Sequence, residues 1–344
     1  MNLPVLDNSI ADKLGKLLSD NSKRIVILTH VNPDGDAIGS SLGLYGFFKL
    51  AGFNNTDVIV PNNYASFLKW MPYNDNVIIA ENEPKSAHEL ISGADIIFCL
   101  DFNEASRIDN LKSDLVKSSA QKVLIDHHPQ PATGHFNIII SDTDSSSTAE
   151  LIYIVIDSIN NTGLPLNKDI AACLYAGIVT DTGSFSYASN NYQTYLIVAE
   201  LIAIGVDAAE IHNNIYDTYS EDRMRLLGYC LSEKLKVLPN KKVAHISLSA
   251  KELDRFNYRE GDTEGIVNYA LSIKGIELAA FFMETEDVIK ISFRSKNDVD
   301  VNQIARNDFN GGGHMNASGG RINASLEEAI AKFELLFSNE LSIK

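Results

Sequence analysis

Cysteine is scarce in this 344-residue chain, and its spacing gives it no place in a metal or disulfide motif. Cys99, Cys173 and Cys230 lie far apart without a Cys-x-x-Cys spacing, which excludes a zinc knuckle and a disulfide framework. We expect all three to be small core residues. No stretch reaches the ~18 consecutive apolar residues that a membrane helix needs, and the N-terminal segment shows no basic flank before an apolar run. The expectation is a cytoplasmic protein with no membrane partner.

Positive charge is also in short supply, because 29 Lys and Arg face 45 Asp and Glu, a net charge of −16. Such a surface repels polyanions, so long nucleic acid is not an expected partner. A phosphorylated substrate would need a local positive site. The rest of the composition, 45% hydrophobic and 22% charged, is typical of a globular protein. The length suggests about two domains.

The first half of the chain alternates short β-branched runs with amphipathic segments. This pattern predicts an α/β fold, with a parallel sheet and helices on both of its faces. The strand candidates are residues 24–29, 56–61, 76–80, 94–100, 121–125 and 136–140. Among the intervening segments, 40–52 has helical spacing and ends at Gly52. Ser147 and Glu150 have the spacing of a capping box, which predicts the start of another helix.

The second half begins with a helical pattern over 191–235, which predicts a helical connector without a Gly/Ser-rich or Pro-rich hinge. Strand patterns return afterwards, at residues 242–249, 276–285 and 288–295. A short polar turn near Glu286 and Asp287 joins the last two. We therefore predict a parallel-sheet domain over 1–190, a helical connector over 191–235 and a smaller α+β domain over 236–344.

Acidic and imidazole side chains gather where the predicted elements of the first domain end. In ILTHVNPDGDAIGS, the side chains of His30, Asp34 and Asp36 follow the first strand within one loop, which Pro33 and Gly35 make tight. Three other segments add Asp101 in FCLDFN, Asp126, His127 and His128 in VLIDHHPQ, and Asp181 in GIVTDTGSF. Open α/β sheets bind ligands at the carboxyl ends of their strands, so we expect these side chains to converge.

A cluster of five carboxylates and two or three imidazoles predicts a metal centre. Unpaired clustered carboxylates are costly, and cations remove the repulsion. Taken singly, an aspartate after a strand is usually a cap or turn residue, so the prediction depends on the set. Carboxylate and imidazole ligands without thiolate favour Mn²⁺, with Fe²⁺, Co²⁺ or Mg²⁺ as alternatives, over structural zinc. We predict two divalent ions, because a shared carboxylate is what a two-metal site needs.

The segments HVNPDGDAIGS, LDFN, IDHHP and TDTGSF resemble, in order and spacing, the four motifs of the DHH phosphoesterase family. In the last hundred residues, SFRS and FNGGGHMNASGG resemble the DHH-associated domain of NrnA-like oligoribonucleases and 3′-phosphoadenosine-5′-phosphate (pAp) phosphatases. This pairing separates the chain from family II inorganic pyrophosphatases, whose C-terminal domain is of another type. The chain is also too short for a RecJ-like exonuclease, which has extra domains.

The resemblance implies a role for each residue of the cluster. It implies two metal sites that share one carboxylate: His30 and Asp34 on one ion, Asp36, His127 and Asp181 on the other, and Asp101 bridging both. His128 would face the substrate and stabilise or protonate the leaving oxygen. Asp126 would orient a neighbouring imidazole.

The second domain offers candidate phosphate-binding residues. Gly311, Gly312 and Gly313 would let backbone amides approach an anion, and His314 adds a side-chain donor. Arg294, at a predicted strand end, offers a bidentate phosphate contact in a chain short of positive charge. We expect Arg294 to hold the phosphate that is not cleaved.

The leading hypothesis is a two-metal phosphoesterase that degrades short 5′-phosphorylated oligonucleotides to mononucleotides and converts pAp to AMP. The motifs leave two other enzymes open: a soluble phosphodiesterase of cyclic di-AMP or pApA, and an exopolyphosphatase. A metal-dependent nucleotide-binding regulator without turnover is the alternative of a different class. A homodimer is expected by analogy with the family.

Overall fold

The computed structural model describes residues 3–160, 163–186, 190–239, 242–286 and 288–337. The chain divides into two units, Met1–Thr218 and Tyr219–Lys344. The helical pattern over 191–235 becomes three helices and a π-helical turn, Cys230–Lys234, and the division falls between the second and third of these helices. The predicted division at 190 and 235 stays a prediction.

Each β-branched run of the first half forms a strand of one six-stranded sheet, in which all neighbouring strands are parallel. Its strands are β1 (Ile25–Thr29), β2 (Thr56–Val60), β3 (Val77–Ile79), β4 (Ile96–Leu100), β5 (Gln121–Asp126) and β6 (Ile138–Ser141). In the order β3-β2-β1-β4-β5-β6, the chain first adds strands on one side of β1 and then, from β4 onward, on its other side, so the strand order reverses between β1 and β4. Ligands of open α/β sheets bind where the strand order reverses, at the carboxyl ends of the strands.

Eight α-helices belong to the described part of this first unit. They are α1 (Asn8–Leu17), α2 (Gly35–Leu50), α3 (Pro84–Gly93), α4 (Lys112–Lys117), α5 (Thr148–Ile159), α6 (Lys168–Asp181), α7 (Tyr192–Ile204) and α8 (Ala208–Tyr216). Alternate residues of the strands enter two cores: Ile25 and Ile27 pack with α2, α5 and α6, and Val26 and Leu28 pack with α3 and α4. The predicted α/β fold with helices on both faces is confirmed.

The starts of two helices, α2 and α5, bear on function. The helical spacing predicted over 40–52 extends back to Gly35, because the Asp34 carboxylate caps α2 by accepting from the amides of Asp36 and Ala37. Helix α5 begins after Ser147 as predicted, and the Ser147 hydroxyl accepts from the Glu150 amide. In a full capping box the Glu150 carboxylate would accept from the Ser147 amide. Here it accepts from the amide and the hydroxyl of Ser146 instead.

Helix α2 lies unusually close to α6. Gly35, Gly39 and Gly43, spaced four residues apart, line one face of α2 and contact α6. A Cβ atom at Gly39 would lie 2.5 Å from the Cys173 carbonyl oxygen and 2.8 Å from the Gly177 nitrogen, so no larger side chain fits without moving backbone. This approach brings the start of α2 beside the end of α6.

The second unit is built on a mixed six-stranded sheet of order β11-β12-β10-β9-β8-β7, in which β8 and β9 are parallel and the other pairs antiparallel. Its strands are β7 (Lys236–Val237), β8 (Val243–Leu248), β9 (Leu278–Glu284), β10 (Ile289–Ser295), β11 (Gly312–Gly313) and β12 (Ala317–Ile322). Its helices are α9 (Glu221–Tyr229), α10 (Ala250–Arg255), α11 (Ile266–Leu271), α12 (Val301–Asp308) and α13 (Leu326–Leu336). Both faces of the sheet carry a hydrophobic core, one packed with α12 and α13 and the other with α9, α10 and α11.

Three smaller expectations can be compared with the structure. Cys99, Cys173 and Cys230 are buried and unpaired, which confirms them as core residues. The predicted turn between β9 and β10 includes Glu286, whereas Asp287 lies outside the described residues. Among the described helices, none is both long and apolar enough to cross a membrane.

The contact between α2 and α6 predicts an unusual response to alanine. Alanine is favoured over glycine in helices by about 1 kcal/mol, yet Gly39→Ala should lower the free energy of unfolding by about 1–3 kcal/mol, since its methyl group meets backbone. Gly15→Ala is the matched control, because Gly15 lies in α1 with open space around it, and it should stabilise the protein. Urea unfolding of both variants checks this, and stabilisation by Gly39→Ala would disprove the close contact.

Candidate metal centre

The predicted site residues of the first unit meet at the carboxyl edge of the parallel sheet. His30 directly follows β1, Asp101 directly follows β4, and Asp126 is the last residue of β5. The remaining members come from adjoining segments: His127 and His128 after β5, Asp34 and Asp36 at the start of α2, and Asp181 at the end of α6. The reversal of strand order between β1 and β4 thus places His30 and Asp101 side by side.

One half of the centre is built around His30. Its Nε2 lies 3.3 Å from Oδ2 of Asp101 and 3.9 Å from Oδ2 of Asp34. Its Nδ1 lies 2.9 Å from the Val31 carbonyl oxygen, which only accepts, so Nδ1 donates and Nε2 of the neutral ring keeps its lone pair. The His30 ring therefore presents a metal-binding nitrogen to two carboxylates.

The other half is built around His127. Its Nε2 lies 3.4 Å from Oδ2 of Asp181, 3.6 Å from Oδ1 of Asp101 and 3.8 Å from Oδ2 of Asp36. Its Nδ1 faces the Ser145 carbonyl oxygen at 3.4 Å. Asp101 consequently lies between the two imidazoles, with Oδ2 nearer His30 and Oδ1 nearer His127.

Asp101 reaches this central position through an uncommon backbone conformation. Its φ of +63° lies in the left-handed region, which aspartate tolerates better than most residues do. Its amide still donates to the Ile125 carbonyl oxygen at 3.1 Å, so the turn begins only after the β4–β5 ladder is complete. Conformations of this kind cluster at functional sites, where the surrounding structure holds them.

His128 and Asp126 form a separate pair beside Asp101. Nδ1 of His128 lies 2.7 Å from Oδ1 of Asp126 and 3.7 Å from Oδ1 of Asp101. Asp126 is fully buried, and its second oxygen, Oδ2, has no hydrogen-bond partner within the described part of the chain. The bond orients the His128 ring, which is the role that the sequence suggested for Asp126.

In the second unit, Arg294 lines a cavity of about 200 Å³. Lys290, Ser292 and Arg294 alternate along β10 and therefore share one face of the sheet. The rest of the lining comes from Phe281 and Met283 on β9, from Val267 in α11 and from the loop before α11, which includes the acidic residue Glu264. This cavity concentrates two cationic side chains in a chain of net charge −16.

The glycine run lies in an edge hairpin, and its amides are less available than the sequence suggested. The Gly311 amide donates to the Ala305 carbonyl oxygen at 3.0 Å, and the His314 amide donates to that of Ala317 at 2.8 Å. A Cβ atom at Gly311 would lie 1.9 Å from the Gly319 carbonyl oxygen, so close strand packing accounts for this glycine. The antiparallel register pairs Gly312 with Gly319 and turns the Gly313 amide to the outer edge. Within this run, the Gly313 amide and the His314 side chain are the groups left as candidates for anion binding. Their role stays a prediction.

Comparison with known proteins decides the family. The model of the DHH family N-terminal domain matches residues 24–178, and that of the DHHA1 domain matches residues 240–339. The bifunctional oligoribonuclease and PAP phosphatase NrnA of Bacillus subtilis is 32% identical over 300 residues, covering 87% of this chain and 89% of the relative. The chain belongs to the DHH family. It is accordingly a hydrolase that acts on phosphate esters, and the resemblance inferred from its motifs is confirmed.

Two further proteins are similar to this DHH-family chain. NrnA of Thermus thermophilus is 32% identical over 301 residues, covering 87% of this chain and 84% of the relative. The crystal structure of an exopolyphosphatase-related protein from Bacteroides fragilis superposes with a TM-score of 0.92 and 42% identity, covering 98% of both chains.

Burial and mutual repulsion dominate the electrostatics of this DHH-family centre. Burial, reinforced by the nearby Asp34 carboxylate, raises the pKa of Asp36 to about 7. Burial and the charges of Asp36 and Asp34 raise the pKa of Asp101 well above its usual value. For Asp34, whose side chain is about half exposed, the effect of desolvation is outweighed by the His30 ring and the Ala37 amide, which lower the pKa. Burial also lowers the pKa of His30, which favours its neutral, metal-binding form.

These residues fit divalent metal ions. The ionised forms of Asp36 and Asp101 are disfavoured without a counter-charge, and the buried Oδ2 of Asp126 lacks a donor among the described residues. Two overlapping groups bring their ligand atoms within 4.8 Å of one another: His30, Asp34 and Asp101, and Asp36, Asp101 and His127. Hard carboxylate oxygens with imidazole nitrogens are a suitable donor set for such ions.

Two residues at the start of α5 contact the centre and were not predicted from the sequence. The amides of Thr148 and Ala149 donate to the two oxygens of Asp36 at 2.6 and 2.8 Å, and the Thr148 hydroxyl donates to Oδ1 of Asp101 at 2.9 Å. The Ser147 cap signal pointed to them indirectly, because a helix start presents free amides that favour a carboxylate.

The raised pKa of Asp36 predicts how the metal-free protein responds to pH. The folded state holds this proton up to a pH of about 7, whereas the unfolded chain releases it near ~3.9. Asp36 therefore stabilises the metal-free fold most at acidic pH, and this contribution is lost as the pH rises from about 4 to about 7. Asp36→Asn removes the titrating group.

Thermal unfolding in EDTA at several pH values measures this effect. The melting temperature of the wild type should fall by several degrees relative to that of Asp36→Asn as the pH rises through this range. If the melting temperatures of the two proteins change in parallel with pH, Asp36 titrates normally in the folded protein.

Proposed function

We propose that this DHH-family enzyme uses two divalent ions, most simply Mn²⁺, to hydrolyse short 5′-phosphorylated oligonucleotides to mononucleotides and pAp to AMP. The observation that carries the two-ion assignment is the central position of Asp101, whose two oxygens face different imidazole–carboxylate groups. The NrnA relatives are described as bifunctional oligoribonucleases and PAP phosphatases, which supports the choice of substrates. The expected homodimer and cytoplasmic location stay predictions.

The ligand assignment follows from the two groups of side chains. His30 and Asp34 would hold one ion, Asp36, His127 and Asp181 the other, and Asp101 both. When bound, such ions make water a stronger acid and offset the charge of the phosphoryl group. The chain contributes the fixed geometry, since Asp36 and Asp101 are 1% and 2% exposed and their carboxylates are held by hydrogen bonds.

His128 is the residue we assign to the leaving group. The Asp126 carboxylate accepts from Nδ1 of His128, which fixes the plane of the ring. A protonated His128 can stabilise the negative charge that develops on the phosphoryl group or give its proton to the leaving oxygen.

The cavity of the second unit suits a small anionic group. Its volume of about 200 Å³ is below the ~300–1,000 Å³ of pockets that enclose drug-sized ligands. Arg294 can make a bidentate phosphate contact there, with Lys290 as a second cation. We assign this cavity to a phosphate of the substrate other than the one hydrolysed. A short substrate then binds without the extended contacts that a chain of net charge −16 would oppose.

A panel of four substrates tests the proposal: pAp, 5′-pApA, cyclic di-AMP and polyphosphate, each with Mn²⁺. We expect phosphate from pAp and AMP from pApA, and loss of both in EDTA. Asp101→Asn should lower kcat by more than about 100-fold, because even residues that only support metal ligands cost about 10–100-fold when removed. Asparagine also tolerates the left-handed backbone at this position, which keeps the fold.

The other outcomes of the panel each reject part of the proposal. Turnover of polyphosphate alone would favour the activity suggested by the name of the Bacteroides fragilis relative. Turnover of cyclic di-AMP alone would favour the activity of the Bacillus subtilis phosphodiesterase GdpP, which is 26% identical over 94% of this chain but only 49% of its own. Nucleotide binding without any turnover would favour a regulator.

The role of Arg294 predicts a specific kinetic change. Arg294→Ala should raise KM for pAp by about 10- to 100-fold, as expected for the loss of a charged hydrogen bond, and should leave kcat within a few-fold. Arg225→Ala is the matched control, because Arg225 is exposed on α9 and pairs with Glu221. Steady-state kinetics with pAp measures both variants, and an unchanged KM for Arg294→Ala would remove Arg294 from the substrate site.

A further inference from the structure

Thr148 is the residue at which the two buried carboxylates of the centre are held together. Its amide donates to Oδ2 of Asp36 at 2.6 Å, and its hydroxyl donates to Oδ1 of Asp101 at 2.9 Å. Asp36 lies in the first turn of α2 and Asp101 follows β4, so a single residue connects carboxylates from two separate elements. All three residues are at least 98% buried.

The start of α5 is itself firmly held. The Ser147 hydroxyl caps the helix by accepting from the Glu150 amide at 3.1 Å. The Glu150 carboxylate, 1% exposed, accepts from the Ser146 amide, the Ser146 hydroxyl and the Thr194 hydroxyl. Because these contacts fix the backbone, Thr148 has little freedom to follow a moving carboxylate, and the carboxylates must adapt to Thr148.

The hydroxyl contact is selective for one oxygen of Asp101. Oδ1, which accepts from Thr148, is the oxygen nearer His127, at 3.6 Å, whereas Oδ2 lies 3.3 Å from His30. A carboxylate oxygen has more than one lone pair, so Oδ1 can accept this hydrogen bond and still bind a cation. A charge-assisted hydrogen bond in a buried site holds the accepting oxygen most directly, and here it acts on Oδ1 and not on Oδ2.

We infer that Thr148 is a positioning residue for the metal centre: its hydroxyl orients Asp101 toward the ion held by Asp36, His127 and Asp181, and contributes much less to the ion held by His30 and Asp34. The inference depends on the proposed two-ion site. It extends that proposal by assigning unequal support to the two ions. Residues that orient metal ligands typically change metal affinity by about 10–100-fold when removed.

Mn²⁺ titration of the metal-free enzyme, with free Mn²⁺ followed by electron paramagnetic resonance, tests this without measuring activity. Thr148→Val keeps the shape, the β-branch and the backbone amide that binds Asp36, and removes only the hydroxyl. We expect one of two binding steps to weaken by about 10–100-fold and the other to stay within a few-fold of the wild type. Thr148→Ser restores the hydroxyl and should restore the weakened step.

Thr56→Val is the matched control for loss of a buried hydroxyl. Thr56 is 2% exposed, its hydroxyl donates to the Phe53 carbonyl oxygen at 2.8 Å, and it begins β2 at the opposite edge of the sheet. It should lower stability and leave both binding steps unchanged. Weakening of both steps in Thr56→Val, or wild-type binding by Thr148→Val, would overturn the inference.

The wild-type titration separates this inference from the proposed function. A wild type that binds fewer than two Mn²⁺ ions overturns the two-ion proposal and the role of Thr148 with it. A wild type that binds two ions, together with a Thr148→Val variant that binds both equally well, overturns the role of Thr148 alone.

Discussion

Burial of carboxylates at one edge of a sheet is the constraint on which the first unit depends. Asp36, Asp101 and Asp126 are almost completely buried, and isolated charges in such surroundings are costly. The fold offsets part of that cost with donors, because Asp36 receives two amides at the start of α5, Asp101 receives a hydroxyl and Asp126 receives an imidazole. The remaining negative charge is what the two proposed ions would offset.

Close packing of α2 against α6 serves the same centre. The glycines that allow this contact lie on α2, whose first turn holds Asp36, while α6 ends at Asp181. Substituting a glycine there would separate two segments that both carry proposed ligands. The core of the fold and the geometry of the centre are therefore determined by the same helix pair.

Most of the centre could be predicted because its residues follow strands of a parallel sheet, where local sequence is enough to locate them. The role of Thr148 could not be predicted, because it depends on contacts with Asp36 and Asp101, each more than 45 positions away in sequence. The availability of the Gly311–Gly313 amides for anion binding was overestimated for a related reason. Sequence reveals that glycine permits close approach, but not whether a ligand or a neighbouring strand makes that approach.

The left-handed backbone of Asp101 limits how this position can change. Aspartate, asparagine and glycine accept such a conformation at low cost, and of these only aspartate carries a charge. A related chain that replaces Asp101 and keeps this backbone is therefore expected to carry asparagine or glycine there. Either residue at this position would mark a centre without the carboxylate that we propose the two ions share.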